Sequence, residues 1–339
     1  QLLVRCQHTL YKAKAISVVL AALPVLFASK RPEDARAAVG ACISFLSTLV
    51  CASHHFGKQF VACDGLAVLD ACALSGPRTD AAVSLASLSI LSQLARGDGD
   101  VYAAIESSGV VSAAGLLLLH HSPEVRAKAC HALGNLCRHS SHFYPLLAAP
   151  LDHPCVPCGC LLPFAGVVTS PLRGNPTPLS LLCTCCNDVD SATRKFACFA
   201  VGNAAFHSPY LYPYLADCVP FLIPLLCDPL EKTRANAAGA LGNLVRNNGA
   251  LCATMASHGV VEHLLAVVRA DGSASARQIA LFSLGNLVVY DSIRAAVAGM
   301  EPSLPDRLRS LGAAVRGDES AWKFLQRVEA KLRGKAVRE

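Results

Sequence analysis

The chain has 339 residues, 53% of them apolar, 16% charged and 6% aromatic, and its 30 Lys and Arg outweigh 24 Asp and Glu for a net charge of +6. About half of that surplus sits in residues 316–339, seven Lys and Arg against four Asp and Glu, which is not the long basic stripe with interleaved aromatics that nucleic-acid binding requires. Mean hydropathy is positive, yet no run reads as a membrane span: residues 15–28 are interrupted by Pro24 and flanked by Lys14 and Lys30, and residues 110–119 are too short.

The chain opens on Gln1 rather than Met, so it reads as a fragment whose start carries no targeting information. In chain order, the first strong pattern is a helix led by Arg36 (RAAVGACISFLSTLV), followed by a second led by Ala81 (AVSLASLSILSQL). Gly109-Val110-Val111 opens an apolar stretch that ends in a polar turn. Ser122-Pro123 then supplies a capping hydroxyl and a proline suited to the first helical position. The helix that follows, Arg126-AKACHALGNLCRHS, has three gapless counterparts: Arg194-KFACFAVGNAAFHS, Arg234-ANAAGALGNLVRNN and Arg277-QIALFSLGNLVVYD. In each, an Arg stands eight residues before a Gly-Asn pair; in the two earlier copies Ser44 and Ser89 take the Gly slot. The slots fall at 44, 89, 134, 202, 242 and 285, with steps of 45, 45, 68, 40 and 43.

A period of 40–45 residues is that of armadillo and HEAT units. Each unit divides alike: a short first helix such as 248–257, a second helix opened by Gly259-Val260-Val261, and the Arg-led third helix. Asp228-Pro229, with Glu231 at capping-box spacing, marks another helix start. Small and apolar residues recur at three- and four-residue intervals, and no long alternation calls for a sheet. The expected fold is an all-α, armadillo/HEAT-type right-handed α-solenoid of about six units over residues 1–315. The step of 68 is too long by roughly 25, and the excess falls in an irregular insertion, residues 150–182, rich in Pro and Cys. Its Cys155, Cys158 and Cys160, with Cys183, Cys185 and Cys186 beyond, suit zinc in principle. Their spacing matches no regular zinc module, so no metal site is assigned. Most of the seventeen cysteines, Cys42, Cys130, Cys198 and Cys252 among them, sit at apolar helix positions and read as buried hydrophobes in a reducing compartment.

Function in such an array belongs to the face built by the third helices. A repeated carboxamide, with donors and an acceptor, can pair with the backbone of an extended peptide. That makes Asn135, Asn203, Asn243 and Asn286 the candidate partner-binding groove. His139, His207, Asn247 and Tyr290 lie one turn further on the same side, with Arg138 and Arg246 at the groove's edge. The competing role for each Asn is to bond the neighbouring repeat. The recurring Arg is expected to be structural, bridging to an acidic residue of the adjacent unit. The pairs His54-His55 and His120-His121 fall at helix ends, where a surface or capping role is expected rather than metal binding. Residues 318–332 read as an amphipathic helix with Trp322, Leu325, Val328 and Leu332 on one side. With its basic tail this forms a C-terminal cap, residues 316–339.

Nothing in the sequence signals catalysis. There is no phosphate-cradling glycine loop, no HRD or DFG tripeptide, no G-x-S-x-G elbow and no H-E-x-x-H helix. No catalytic residue and no cofactor is assigned to this segment.

Residues 193–208 (TRKFACFAVGNAAFHS), 232–252 (KTRANAAGALGNLVRNNGALC) and 125–144 (VRAKACHALGNLCRHSSHFY) closely resemble the C-terminal region of the Fused family of serine/threonine kinases. The resemblance is strong over about 105–290, outside the insertion. It implies a parent protein whose ATP- and Mg-dependent kinase domain precedes Gln1, with this chain as a protein-binding scaffold. It also implies a cytoplasmic, cytoskeleton-associated place, with kinesins or other microtubule-associated partners in cytokinesis, cilia or Hedgehog-type signalling. A stand-alone armadillo adaptor that binds extended peptides is the alternative. Neither reading involves nucleic acid or a membrane.

Overall fold

A computed structural model describes residues 9–28, 32–72, 79–97, 99–151 and 176–334, and the described residues are helical with no strand. The chain divides into two compact units, residues 1–181 and 182–339.

The first unit runs through α1 (Ala15–Phe27), α2 (Pro32–Ala52), α3 (His54–Ala62), α4 (Gly65–Cys72), α5 (Ala81–Ala95), α6 (Tyr102–Ser107), α7 (Val110–Leu116), α8 (Pro123–Leu136) and α9 (Tyr144–Ala148). Here α2, α5 and α8 are the third helices, and each packs along the next. Helix α10 (Pro178–Cys185) follows the insertion. The second unit holds α11 (Ser191–Ala204), the short α12 (Tyr212–Leu215) and α13 (Val219–Leu222), then α14 (Glu231–Asn243), α15 (Cys252–Ser257), α16 (Val260–Ala270), α17 (Ala274–Leu287), α18 (Asp291–Val297), α19 (Leu304–Ala314) and α20 (Glu319–Arg333). Its third helices α11, α14, α17 and α20 stack in that order.

The starts of these helices follow from side-chain chemistry. Asp80, Ser122, Asp190, Ser273 and Asp318 each accept a hydrogen bond from a backbone N–H of the first turn, which satisfies donors the helix itself cannot. Asp228 departs from the expected capping box. Its helix begins at Glu231, and Asp228 instead accepts from the Leu230 N–H at 2.8 Å, closing a turn ahead of the helix. Gly259, before α16, has φ of +64°, where a side chain would be strained. Along the stack small residues let third helices approach: Ala197, Ala200 and Ala204 on α11 and Ala237, Ala238 and Ala240 on α14 are all buried.

Three sequence readings change. Helix α20, expected as a cap, is the third helix of a further unit, since α18 and α19 precede it and it packs on α17 as α17 packs on α14. Its buried side carries Ala321, Leu325 and Val328, while Trp322 is 45% exposed and rests beside Gly312. The insertion is also shorter than read. Residues 178–182 already belong to α10, and the Leu151 N–H donates to the Pro176 carbonyl at 2.8 Å, joining the two ends of the segment. Cys155, Cys158 and Cys160 lie outside the described residues. Cys183 pairs with Cys218 in a disulfide, whereas Cys130, Cys185, Cys186, Cys198 and Cys252 are buried. Among the described residues no group of three or more His, Cys, Asp or Glu is placed to hold a metal ion.

Hydropathy needs a correction as well. Two helical stretches, 35–52 and 209–227, are long and apolar enough to cross a membrane, with mean hydropathy of 1.7 and 1.4. The second is a chain of short helical pieces started by prolines, and its Leu211, Tyr212, Leu215, Val219 and Leu222 are buried in the repeat core. A helix enclosed by neighbours on several sides is apolar nearly all round, so hydropathy alone does not separate a solenoid core from a span.

Candidate functional site

The Gly-Asn pair lies in the last turn of each third helix, where carbonyls lack intrahelical partners. In the second unit the next repeat supplies them. The Asn243 amide donates to the Gly202 carbonyl at 2.9 Å, and the Asn286 amide to the Gly242 carbonyl at 3.2 Å. The Lys331 ammonium of α20 donates to the Gly285 carbonyl at 2.8 Å, in the place an Asn would take. One turn on, the pattern repeats with other donors. The Asn247 amide reaches the carbonyls of Ala205 and Phe206 at 3.3 and 3.2 Å, and the Tyr290 hydroxyl donates to the Val245 carbonyl at 2.8 Å. The Tyr212 hydroxyl donates to the Asn243 carbonyl at 2.6 Å. Helices α11, α14 and α17 are thus each capped sideways by the next third helix. The signature glycine allows the approach at Gly242, where a Cβ would stand 2.7 Å from the Ser283 Cβ and 2.8 Å from its Cα.

The start of each third helix has its own lattice. The Arg234 guanidinium donates to the carbonyls of Asp228 and Pro229 in the turn before its helix, and to both carboxylate oxygens of Asp271 in the next repeat, at 2.5 and 2.7 Å. Arg194 does the same with the carbonyls of Asp188 and Val189 and the carboxylate of Asp228. Asp228 and Asp271 are almost fully buried, and the hydrogen bond from Arg234 holds the Asp271 carboxyl below its ordinary value. The bridge to the adjacent unit expected of the recurring Arg is therefore present at both. Asp188, Asp228 and Asp271 stand six residues before Arg194, Arg234 and Arg277. That spacing was visible in the sequence but was not singled out.

The first unit departs from this plan in linked ways. Ala81 stands in an Arg slot, so no guanidinium is there for an Asp at the next turn, and that turn has His120 instead. His120 is fully buried, accepts the Ser122 N–H on Nδ1 at 3.0 Å, and bonds the Thr79 carbonyl through Nε2 at 2.9 Å. His120 thus closes the turn ahead of α8 with its ring in the neutral form, as Asp228 does ahead of α14. Arg126 is buried and donates to the carbonyls of His120 and His121, while Arg36 is exposed.

The proposed groove residues divide by exposure. Asn135 is fully buried and donates to the Ser92 hydroxyl at 2.7 Å, with its Oδ1 unpartnered. Tyr290 is 7% exposed. Neither can meet a partner, because the stacked helices enclose both. Asn203, Asn243 and Asn286 are half-buried, as is His207 against the Phe206 ring. Asn247, Arg246, Arg138 and His139 are exposed. Around the half-buried amides of the second unit lie Arg246, placed at the groove's edge by the sequence, and further cations and rings. Lys195 sits 4.0 Å from the centre of the Phe196 ring, Arg246 4.2 Å from that of Phe206, and Arg327 5.6 Å from that of Phe324. Phe282 is 38% exposed and meets Phe324 edge-on at 6.0 Å. The described residues form a helical repeat array and contain no kinase catalytic domain.

Comparison with known proteins agrees with this architecture. A family model described as a HEAT-like repeat matches residues 191–244. Serine/threonine-protein kinase 36 of Pongo abelii is 30% identical over 230 residues, 68% of this chain and 15% of that protein. Serine/threonine-protein kinase TIO of Arabidopsis thaliana is 38% identical over 225 residues, 63% of this chain and 15% of that protein. The chain thus spans about 15% of the length of these relatives. Among solved structures, an engineered protein aligns with 98% of this chain and 71% of its own at a TM-score of 0.74 and 20% identity. A designed armadillo repeat protein in complex with the peptide (KR)4 aligns with 77% of this chain and 96% of its own at a TM-score of 0.59 and 20% identity. Both are likenesses of fold.

Proposed function

We propose that this chain is the repeat region of a Fused-type serine/threonine kinase and serves it as a docking scaffold for protein partners, kinesins and other microtubule-associated proteins foremost. The observation that carries this reading is its similarity, over about two-thirds of its length, to kinases from an ape and from Arabidopsis. Catalysis, with ATP and Mg, then belongs to a kinase domain elsewhere in the parent protein, and the scaffold works in the cytoplasm beside the cytoskeleton. Purified chain is to be tested for capture of kinesin tails and for co-sedimentation with microtubules in their presence. Capture by the chain but not by a helical repeat protein of equal charge is the expected result; no capture of any kinesin tested sinks the partner assignment.

The second reading, a stand-alone adaptor for extended peptides, is favoured by one observation: a designed armadillo protein of similar fold holds the peptide (KR)4. The coding sequence upstream of Gln1 separates the two. A glycine loop with HRD and DFG tripeptides is expected, and their absence leaves the adaptor.

A further inference from the structure

Three of the four third helices of the second unit carry almost no negative charge. Helices α11 and α17 contain no Asp or Glu, and α14 has only Glu231, in its first turn. The acidic side chains close by are committed. Asp228 and Asp271 pair with Arg194 and Arg234, Asp318 caps α20 and accepts from Gln278, and Glu319 pairs with Lys323. Glu329 lies on the Trp322 side of α20, seven residues on. The cations are differently placed. Lys195, Arg246 and Arg327 form no ion pair with a described carboxylate, and each lies over an aromatic ring. Arg327 also crowds Lys331, whose ammonium is pushed below its ordinary value by burial and by that like charge.

The same face offers apolar and polar contacts at repeat spacing. Phe206 and Phe282 are each 38% exposed, and Phe199, Ile279 and Phe324 are half-buried beside them. Asn243 and Asn286 each donate once to a preceding glycine carbonyl. One N–H and the acceptor oxygen of each remain for a ligand, the pair a peptide backbone needs. Such a face lacks the closely spaced cations with which a nucleic-acid site follows successive phosphates.

We propose that the third-helix face of the second unit takes an extended acidic peptide segment of a partner protein. Its carboxylates meet Lys195, Arg246 and Arg327, its backbone pairs with Asn243 and Asn286, and its apolar side chains rest on Phe199, Phe206 and Phe282. The assignment rests on the docking-scaffold reading and gives that scaffold's partner a chemistry opposite in sign to (KR)4.

The test uses the full chain and three fluorescein-labelled probes: a twelve-residue peptide alternating Glu with Phe or Leu, its Lys-for-Glu counterpart, and oligo-dT of equal length. Binding is followed by fluorescence polarisation at 50 and 300 mM salt. The acidic peptide should bind at least tenfold more tightly than the basic one and weaken with salt. The triple variant Lys195→Glu/Arg246→Glu/Arg327→Glu should lose at least tenfold, with an unchanged unfolding midpoint. Arg269→Glu, the same charge change on second helix α16, should bind as the parent does. Equal binding of both peptides, an unaffected triple variant, or oligo-dT bound as tightly as the acidic peptide would each overturn the proposal. Kinesin capture that survives in the triple variant would sink this face while leaving the scaffold reading intact.

Discussion

The two units carry the same third helix at the same period, yet tie it to its neighbours by different means. In the second unit every step is polar: Arg194 and Arg234 reach the next Asp at the start of the helix, Gln278 takes that part toward Asp318 at the last step, and Asn or Lys meets the preceding glycine carbonyl at the helix end. In the first unit α5 has Ala81 in the Arg slot and Ser89 in the glycine slot, and the ties are His120 to Thr79 and a buried Asn135 to Ser92. A residue in a repeat slot therefore has no fixed meaning. Its role depends on what the neighbouring copy presents.

The sharpest way to break the comparison is at the Arg slot. Arg234→Ala leaves the Asp271 carboxylate, whose side chain is 3% exposed, without its guanidinium and frees two turn carbonyls. Stranding a buried charge costs about 3–5 kcal/mol. Arg36→Ala, at the equivalent but exposed slot, should stay within about 0.5 kcal/mol. Urea unfolding measures both, and equal losses would show that the slot, rather than its partner, sets the energy.

Glycine slots come next. At Gly242 an added Cβ meets the Ser283 backbone, while at Gly202 the nearest atom, the Ala240 Cα, is 3.5 Å away. Gly242→Ala should cost about 1–3 kcal/mol through overpacking. Gly202→Ala should be neutral or gain up to about 1 kcal/mol from helix propensity. Ser283→Gly in the Gly242→Ala background should restore part of the loss, and thermal melting of all three variants checks it. Asn243→Ala is a smaller change. It removes one lateral hydrogen bond, worth about 0.5–1.5 kcal/mol, and calorimetry should record a loss of that size even with no partner present.

Much of this architecture was legible. The period, the Arg-to-Gly spacing and the third-helix assignment all came from apolar recurrence, which packing imposes on every copy. The Arg role could be read because an Arg in a first turn next to another repeat has few other partners. The Asn ladder was harder, because an amide suits a peptide backbone and a neighbouring helix end equally, and only the position of Gly202 relative to Asn243 separates them. Helix α20 was read as a helix but not as a third helix, because Gly285 is met by Lys331 and not by a further Asn. Asn135 and Tyr290 were misplaced because burial depends on the adjacent copy, which the residue's own helix does not encode. The part that Phe324 and Arg327 of α20 play in the third-helix face was missed because it joins helices far apart in sequence.

The smallest expected effect is a difference in pH response between the two kinds of turn. Where the second unit uses Asp, the first uses His120, whose imidazole is pushed below its ordinary value mainly by burial, with His121 and Arg126 adding like charge. Unfolded, this His titrates near pH 6.5. Because the folded pKa is lower, the unfolded chain binds more protons between the two values. The stability held by neutral His120 is thus complete above about pH 6.5 and is lost as pH falls below it. Protonation places a hydrogen on Nδ1, which now accepts the Ser122 N–H. The Asp271 tie follows the same order of events in a lower pH window. Its lowered carboxyl pKa keeps that contribution whole above the ordinary carboxylate value, near pH 4, and lets it go only as pH falls through the folded value. Hydrogen exchange, corrected for intrinsic rate, should therefore show residues 120–126 losing protection between pH 7 and 5 while residues 228–234 keep theirs. His120→Asn, which cannot titrate but still offers the turn an acceptor, should flatten the first response. Equal protection at both pH values in the parent chain would mean that the two turns, despite their chemistry, are held by packing alone.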